Sequence, residues 1–326
     1  MLAIVQGSEG APDVLKPADV PTPELQPGEV LIRVKAAGVS HADLLQRQGK
    51  YPPPPGASPI LGLEVAGTIE ANGQGATHFR PGDAVCAVLA GGGYAEFCAV
   101  PEPQVLPIPQ NWNFVEAATL PENLFTVYDN MVTRARLKPG EAVLIHGGTS
   151  GIGSTAIMLA RALGAIPYAT AGTDAKCDAA RSFGAEAAIN YRAVDFVDYF
   201  RQLNRGRGAD VIVDVVGGSY LERNLAALAV EGRLCLIATL GGAVGKLPIP
   251  TLMRVRGSII ASTLRARTPS EKGAIAERLQ QQIWPMLASK SPIRPLIDHV
   301  FALADASKAH ERMESGAHMG KIVLSL

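Results

Sequence analysis

Seven residues near the middle of this 326-residue chain can build a phosphate cradle: Gly147-Gly148-Thr149-Ser150-Gly151-Ile152-Gly153. The apolar run "AVLIH" (142–146) leads in, and "STAIMLARALGA" (154–165) leads out at helical spacing, with Gly164 as its stop. Glycines let a backbone turn tightly and come close to a ligand. The free N–H groups at the helix start then face an anion, helped by the helix dipole. Strand, glycine run and helix in this order form the setting in which such a run holds the pyrophosphate of a dinucleotide. Gly148, Gly151 and Ile152 supply the backbone of that cradle. Ser150 has two roles open to it, a hydroxyl reaching the pyrophosphate or a helix cap.

A cradle of this kind needs a parallel sheet behind it. From residue 142 to about 262 the pattern alternates strand and helix, with strands at "AVLIHG", "IPYATA", "AAIN", "DVIVDVVG", "RLCLIA" and "GSIIAST". Repeated β-α units with short apolar strands imply a parallel sheet covered on both faces. Residues 1–110 read differently. "EVLIRVKAAGV", "LEVAGTIEANG", "RPGDAVCAVL" and "GGYAEFCAV" are β-type runs, and prolines at 12, 17, 21, 23, 27 and 52–55 exclude long helices there. "FVEAATLPENLFTVYDNMVTRARL" has helical spacing and "KPGE" ends it. After residue 268, "SEKGAIAERLQQQIWPMLASK" predicts an amphipathic helix capped by Ser270, followed by a strand ("IDHVFAL"), a short helix ("DASKAHERMES") and a last strand ("GKIVLSL"). The expected fold class is α/β. A nucleotide-binding domain spans residues 121–262, inserted into a β-rich domain made from residues 1–120 and 263–326.

Bulk composition narrows the function. The chain is 47% apolar and carries 30 basic and 30 acidic residues, so neither nucleic acid nor a membrane surface gains support from charge. No apolar stretch reaches the ~18 residues of a membrane helix, and "MLAIVQGSEG" lacks the features of a secretory signal. Cys86, Cys98, Cys177 and Cys235 are far apart with no CxxC spacing, which reads as four buried thiols in a reducing cytoplasm.

The glycine run resembles the TGxxxGxG loop of short-chain dehydrogenases, but about 140 residues precede it here. Their Tyr-x-x-x-Lys pair is also missing, because Tyr168, Tyr191, Tyr199 and Tyr220 are followed four places on by Gly172, Asp195, Leu203 and Asn224. The chain instead resembles the zinc-independent quinone oxidoreductases of the medium-chain dehydrogenase/reductase family, related to zeta-crystallin. The resemblance is carried by "GVSHADLLQRQGKYPPPPG" (38–56), "LGLEVAG" (61–67), "RPGDAV" (80–85), "GGGYAEF" (91–97), "AATLPENLFTVY" (117–128), "VLIHGGTSGIG" (143–153), "INY" (189–191), "GGSYLERN" (217–224) and "GKIVL" (320–324). "RQGKYPPPPGAS" and "GGSY" are similar to the tumour-suppressor-inducible branch. The resemblance implies a GroES-like β-rich catalytic domain plus a Rossmann doubly wound parallel-sheet domain.

An NAD site ordinarily ends its second strand in Asp or Glu. Here that end is Ala171-Gly172-Thr173. A carboxylate about 4 Å from a 2′-phosphate would cost roughly 4 kcal/mol per charge pair at an effective dielectric of ~20, so its absence favours NADPH. Taken alone, Lys176 is a solvated helix lysine and Tyr191 an edge aromatic. The resemblance assigns both to the 2′-phosphate, with Gly172 and Thr173 in the same loop. Asp174 reads as the cap of the following helix.

Ser40 stands where zinc dehydrogenases of this fold carry Cys, and Leu63 where they carry His. The four-cysteine lobe of a structural zinc is missing too, and His41 alone is left as a donor. No zinc is expected. A quinone is electrophilic enough to accept hydride without a metal, and solvent can protonate the product. By resemblance the nicotinamide lies near Ser40 and Thr126, with Asp43 and Tyr51 close by, while Leu264 and Lys321 match positions that close over the cofactor. Many relatives carry Asn where Ser40 stands. Tyr51, Pro52–Pro55, Leu124 and Phe125 are the expected lining of an apolar substrate cleft. The resulting expectation is an NADPH-dependent quinone oxidoreductase acting by metal-independent hydride transfer. An enone or 2-alkenal reductase and a non-catalytic NADPH-binding redox sensor are the alternatives. With relatives as a guide, "GSIIAST" predicts an exposed sheet edge that pairs in a homodimer.

Overall fold

Six apolar runs in the middle of the chain form one parallel sheet in the computed structural model, which describes residues 1–288 and 293–326. They are β1 (Ala142–His146), β2 (Ile166–Ala171), β3 (Ala187–Asn190), β4 (Ala209–Asp214), β5 (Leu228–Leu236) and β6 (Ser258–Ala261). Their order is β3-β2-β1-β4-β5-β6, and every pairing is parallel. All five residues of β1 are buried, as expected for a strand covered on both faces. Helices α1 (Gly151–Ala162), α2 (Asp174–Ser182), α3 (Phe196–Leu203) and α4 (Leu221–Ala227) accompany it. Leu144, Phe196, Phe200, Ile212, Leu225 and Leu234 share one core. Strand order reverses between β1 and β4, the switch point beyond whose carboxyl ends such sheets bind ligands. Residues 126–263 form this unit, with 293–294 beside them.

A second unit comprises Met1–Phe125, 264–288 and Pro295–Leu326. Its sheet runs in the order Ile297–Ala302, Lys321–Ser325, Glu29–Val39, Glu64–Asn72, Ala84–Val88, Val105–Pro107, and Phe97–Pro101 also pairs with Glu29–Val39. The last strand is antiparallel to Glu29–Val39, with Ile322 opposite Val39. Ile32, Val34, Leu61, Val65, Ile69 and Leu324 fill its core.

Several elements depart from the sequence reading. The helical stretch at 114–137 is split into Phe114–Ala117, Pro121–Val127 and a π-helical segment, Tyr128–Arg134. Pro121 lacks an N–H and can only begin a helix. The cap after 268 is Thr268, not Ser270. Pro269 takes the first helical position, Thr268 Oγ1 accepts from Glu271 N–H at 3.2 Å, and Glu271 Oε2 accepts from Thr268 N–H at 2.8 Å. That helix ends at Gln282, and Trp284–Leu287 is a separate turn. Residues 289–290 of the expected helix lie outside the described residues. Thr173, not Asp174, caps α2, accepting from Lys176 N–H at 3.2 Å. Asp174 instead accepts from Asn190 Nδ2 at 2.8 Å.

A Cβ on Gly153 would lie 2.1 Å from the Gly147 carbonyl oxygen, a backbone atom that has nowhere to go. We expect Gly153→Ala to cost about 1–3 kcal/mol, as overpacked sites do, read as a lower urea midpoint. An unchanged midpoint would mean the turn is not this tight.

Candidate active site

The cradle is built at the end of β1. Gly147 has φ +69°, a left-handed conformation that suits glycine. A Cβ on Gly148 would come within 2.7 Å of Ala169 Cβ on β2. Ser150 Oγ accepts from Gly153 N–H at 3.0 Å and so caps α1. Capping uses the oxygen as acceptor and leaves the O–H free to donate, so the two roles read from the sequence are compatible. Gly151 and Ile152 are half-buried at the helix start.

Beneath the cradle runs a sealed polar chain. His146 Nε2 lies 2.7 Å from Asn224 Oδ1, and Nδ1 lies 3.0 Å from Thr170 Oγ1. Asn224 Nδ2 donates to Asp214 Oδ2 at 2.9 Å, and Asp214 accepts from Val216 N–H at 2.6 Å. The amide oxygen can only accept, so Nε2 carries the imidazole proton. Burial pushes His146 down to about 4 and Asp214 up to about 6. The chain ties the carboxyl ends of β1, β2 and β4 to α4.

At the end of β2, a Cβ on Gly172 would sit 2.9 Å from Tyr191 Oη and 3.5 Å from Arg192 Nε. A phenol and a guanidinium therefore converge on the glycine that replaces the usual acid. Arg192 is exposed and has no carboxylate partner among the described residues. Lys176 lies half-buried in the first turn of α2, and Thr173 is exposed. Tyr191 stands edge-on to Tyr220 at 6.4 Å. Tyr220 stacks on Phe196 at 5.0 Å, and the Arg223 guanidinium lies 4.1 Å over Phe196. Arg192 was missed in the sequence, although a basic residue directly after Tyr191 was a visible signal.

In the other unit, Ser40 precedes the helix His41–Arg47. Its hydroxyl is buried and has no hydrogen-bond partner. Three residues on, Asp43 is fully buried and accepts from Ser40 N–H (2.8 Å), Gly62 N–H (3.0 Å) and Tyr94 O–H (3.2 Å). Burial raises the Asp43 carboxyl against these donors. Tyr94 Oη in turn lies 3.1 Å from His310 Nε2, and His310 Nδ1 lies 3.2 Å from Arg47 Nη1. Arg47 can only donate, so His310 is protonated at Nε2, and burial pushes it down to about 3. Arg47 closes the chain on Glu314.

Lys321 is also buried. Its ammonium lies 2.5 Å from Glu64 Oε1 in an ionic contact and donates to the Val39 carbonyl at 3.0 Å. Burial opposes its charge, but Glu64, Glu122 and Asp43 outweigh that and raise it. Glu64 Oε2 accepts from Glu122 N–H at 2.9 Å. The half-buried Tyr51 is held by Arg265, which donates to the Tyr51 carbonyl at 3.1 Å and to Gln46 Oε1 at 2.6 Å. Arg265 follows the half-buried Leu264. Leu124 and Phe125 are fully buried and offer no open lining. Thr126 is buried, and its carbonyl accepts from Asn130 Nδ2 at 2.9 Å.

The donor set does not fit zinc. Ser40 offers a neutral hydroxyl, Leu63 offers no donor, and burial raises the thiols of Cys86 and Cys98, the latter to about 12. Among the described residues no three His, Cys, Asp or Glu cluster to hold a metal, and no helix is long and apolar enough to cross a membrane.

Known proteins are similar to this chain in sequence and fold. The alcohol dehydrogenase GroES-like domain family matches residues 26–110, and the family described as zinc-binding dehydrogenase matches residues 183–324. A quinone oxidoreductase of Rattus norvegicus is 32% identical over 320 residues, covering 97% of this chain and 95% of its own. The chain belongs to the quinone oxidoreductase family of medium-chain dehydrogenases/reductases. It is an oxidoreductase with a GroES-like and a Rossmann domain. A solved Escherichia coli quinone oxidoreductase complexed with NADPH superposes with TM-score 0.86 at 28% identity, covering all of both chains. A structure described as an NAD-dependent alcohol dehydrogenase superposes equally well, with TM-score 0.86 at 31% identity and full coverage of both chains. The global fold therefore does not choose the cofactor, and local chemistry must.

His146 and His310 have folded values of about 4 and 3, below the 6.5 of a free imidazole. The unfolded chain takes up these protons as pH falls below about 6.5, and the folded chain does not. Their contribution is complete above that pH and is lost as pH falls towards the folded values. Asp214, raised to about 6, takes up a proton in the folded chain over the same range and works in the opposite direction. Between pH 7 and 5 the urea midpoint of the unaltered protein should therefore fall relative to that of His310→Gln. Parallel slopes for the two proteins would contradict the buried neutral imidazole.

Proposed function

We propose that this oxidoreductase transfers hydride from NADPH to a quinone or a related electrophile without a metal. The observation that carries the reading is the convergence of Tyr191 and Arg192 on Gly172, where an NAD site would keep a carboxylate. Lys176 in the first turn of α2 adds a second cation to that corner. Gly148, Ser150, Gly151 and Ile152 form the pyrophosphate cradle, with Gly172 and Thr173 beside the ribose. For the nicotinamide end, each unit offers its own candidates: Ser40, whose hydroxyl lacks a partner, and Leu264 in one, and Thr126 in the other. Lys321, expected to close over the cofactor, instead has its ammonium buried on Glu64 and the Val39 carbonyl, so it is left out of the direct contacts. When bound, NADPH supplies the hydride. The protein binds and orients, and orientation alone can supply about 7–11 kcal/mol of barrier reduction. Tyr51, fixed by Arg265, lines the acceptor, and the buried Asp43, fixed by its three donors, positions the backbone around Ser40.

Calorimetry should find NADPH bound much more tightly than NADH. Losing a hydrogen bond to a charged group costs about 1.5–3 kcal/mol, so Arg192→Ala should weaken NADPH about tenfold or more and leave NADH unchanged. Equal affinity for the two cofactors in the unaltered protein would overturn the reading. NADPH oxidation by 1,2- and 1,4-quinones, compared with 2-alkenals, then sorts the acceptor class. Tight binding with no turnover on either would favour a sensor.

We also propose a two-fold dimer through the edge of β6. Val244 (90% exposed), Met253 (70%) and Ile249 (58%) are large apolar side chains left uncovered in the stretch before that edge strand. Light scattering at micromolar concentration should report twice the 34.1 kDa chain mass, and Met253→Lys should shift it towards one chain. A purely monomeric unaltered protein would refute this. The four buried free thiols suit a reducing cytoplasm.

A further inference from the structure

We propose that the nucleotide-binding unit carries a second anion site, at the edge of its sheet opposite the cradle, which takes a phosphate group, free or carried on a small organic molecule. This does not depend on the choice of cofactor or acceptor.

The place follows from strand direction. In a parallel sheet the amino ends of the strands lie along one edge, and ligands ordinarily bind beyond the other. Ile166 opens β2, Glu186 directly precedes β3, and Arg207 stands two residues before β4. Together with Tyr168 of β2 and Arg161 in the last turn of α1, they line a cleft of about 520 Å³. The end of α3 completes its wall with Leu203, Asn204 and Arg205. Small-molecule sites span roughly 300–1,000 Å³, so the cleft is of suitable size. The cradle and Gly172 follow the carboxyl ends of β1 and β2, and the two places share no residue.

The lining suits negative charge. Arg161 lies 3.6 Å from Glu186, with both side chains 55% exposed, and a pair so solvated is weak. Arg207 Nη2 donates to Asn204 Oδ1 at 3.3 Å and makes no ion pair among the described residues. Arg205 makes neither a side-chain hydrogen bond nor an ion pair among them. Asn204 is 4% exposed and donates to the Gly208 carbonyl at 3.0 Å, so Arg207 is held from a fixed base. Arg205 and Gly206 are both left-handed, with φ +53° and +79°, and this reversal brings the two arginines to one cleft.

The floor supplies an independent sign of a ligand. Tyr168 is 7% exposed, its ring edge-on to Phe200 at 5.1 Å. Its hydroxyl has no hydrogen-bond partner among the described residues and is not sealed from solvent, so it opens on the cleft that the residue lines. Burial and Glu186 raise the phenol, and Arg207 and Arg205 pull it back. Cations near the ends of α1 and α3 also suit the helix dipoles. That does not account for a buried O–H with nothing to donate to. A phosphate brings the oxygens for charge-assisted bonds from a phenol and two guanidiniums. Ile166 and Leu203 offer an apolar wall to an organic remainder.

The test reads the arginines one by one. Cofactor-free protein is treated with phenylglyoxal, which attacks guanidinium groups, and modified residues are located by mass spectrometry. Inorganic phosphate should slow the modification of Arg205 and Arg207 but not of the exposed Arg254, which lies outside the cleft. Potassium chloride at equal ionic strength should protect neither. Tyr168→Phe keeps the ring and should raise the phosphate concentration for half-protection about tenfold, the cost of a hydrogen bond to a charged group. Phenyl phosphate protecting at a lower concentration than inorganic phosphate assigns the site to an organic monoester, and equal concentrations assign it to the free ion. Phosphate that leaves Arg205 and Arg207 as reactive as Arg254, protection matched by chloride, or protection undiminished in Tyr168→Phe overturns the proposal. The first two outcomes need no variant to fold. Equal affinity for NADPH and NADH would overturn the cofactor reading and leave this result standing.

Discussion

The approach of Gly153 to the carbonyl of Gly147 is the constraint on which the nucleotide half of the molecule depends. It brings the first turn of α1 against the end of β1, closer than any side chain permits. The N–H groups of the helix start are thereby presented at the reversal of strand order, where a pyrophosphate can reach them. The chain from Thr170 through His146 and Asn224 to Asp214 braces the same corner from below. Backbone geometry makes the cradle, and buried polar contacts keep it from relaxing.

The other unit depends on a single ammonium. Lys321, on the last strand, is buried against Glu64 and the Val39 carbonyl, with Glu122 attached to Glu64 through its backbone. A buried charge is costly to leave unpaired, so the C-terminal strand, the strand Glu29–Val39, the strand Glu64–Asn72 and the helix at Pro121 are held in one mutual arrangement. Gly38 is part of this, because a Cβ there would lie 2.2 Å from Glu64 Oε1. The relay from Asp43 through Tyr94 and His310 to Arg47 extends the arrangement and fixes the backbone on either side of Ser40.

Much of the fold was legible because its signals are local. "IPYATA" and "AAIN" are strands over those very residues, since each is a short apolar run bounded by turn residues. The parallel sheet followed from their alternation with helices. The helix cap at Thr268 was misread because Pro269 hides it, since a proline at the first helical position moves the start back from Ser270. The split at Pro121 was lost for the opposite reason, as helical spacing continues across the break. The polar networks could not be read at all. Lys321 and Glu64, or Arg47 and His310, are far apart in sequence, and each alone reads as an ordinary surface residue until the fold buries it. Leu124 and Phe125 show the converse, since apolar character does not tell a cleft wall from a core.

Whether the corner at Gly172 receives a doubly charged phosphate is the central claim, and the phosphorus resonance of the 2′-phosphate on bound NADPH tests it most directly. A phosphate monoester ordinarily loses its second proton near pH 6. With Lys176 and Arg192 beside it, the bound group should stay dianionic well below that pH, and the shift should vanish in a Lys176→Ala, Arg192→Ala double variant. A bound 2′-phosphate that titrates like the free cofactor would show that no cation reaches it, and the assignment of this corner would fall.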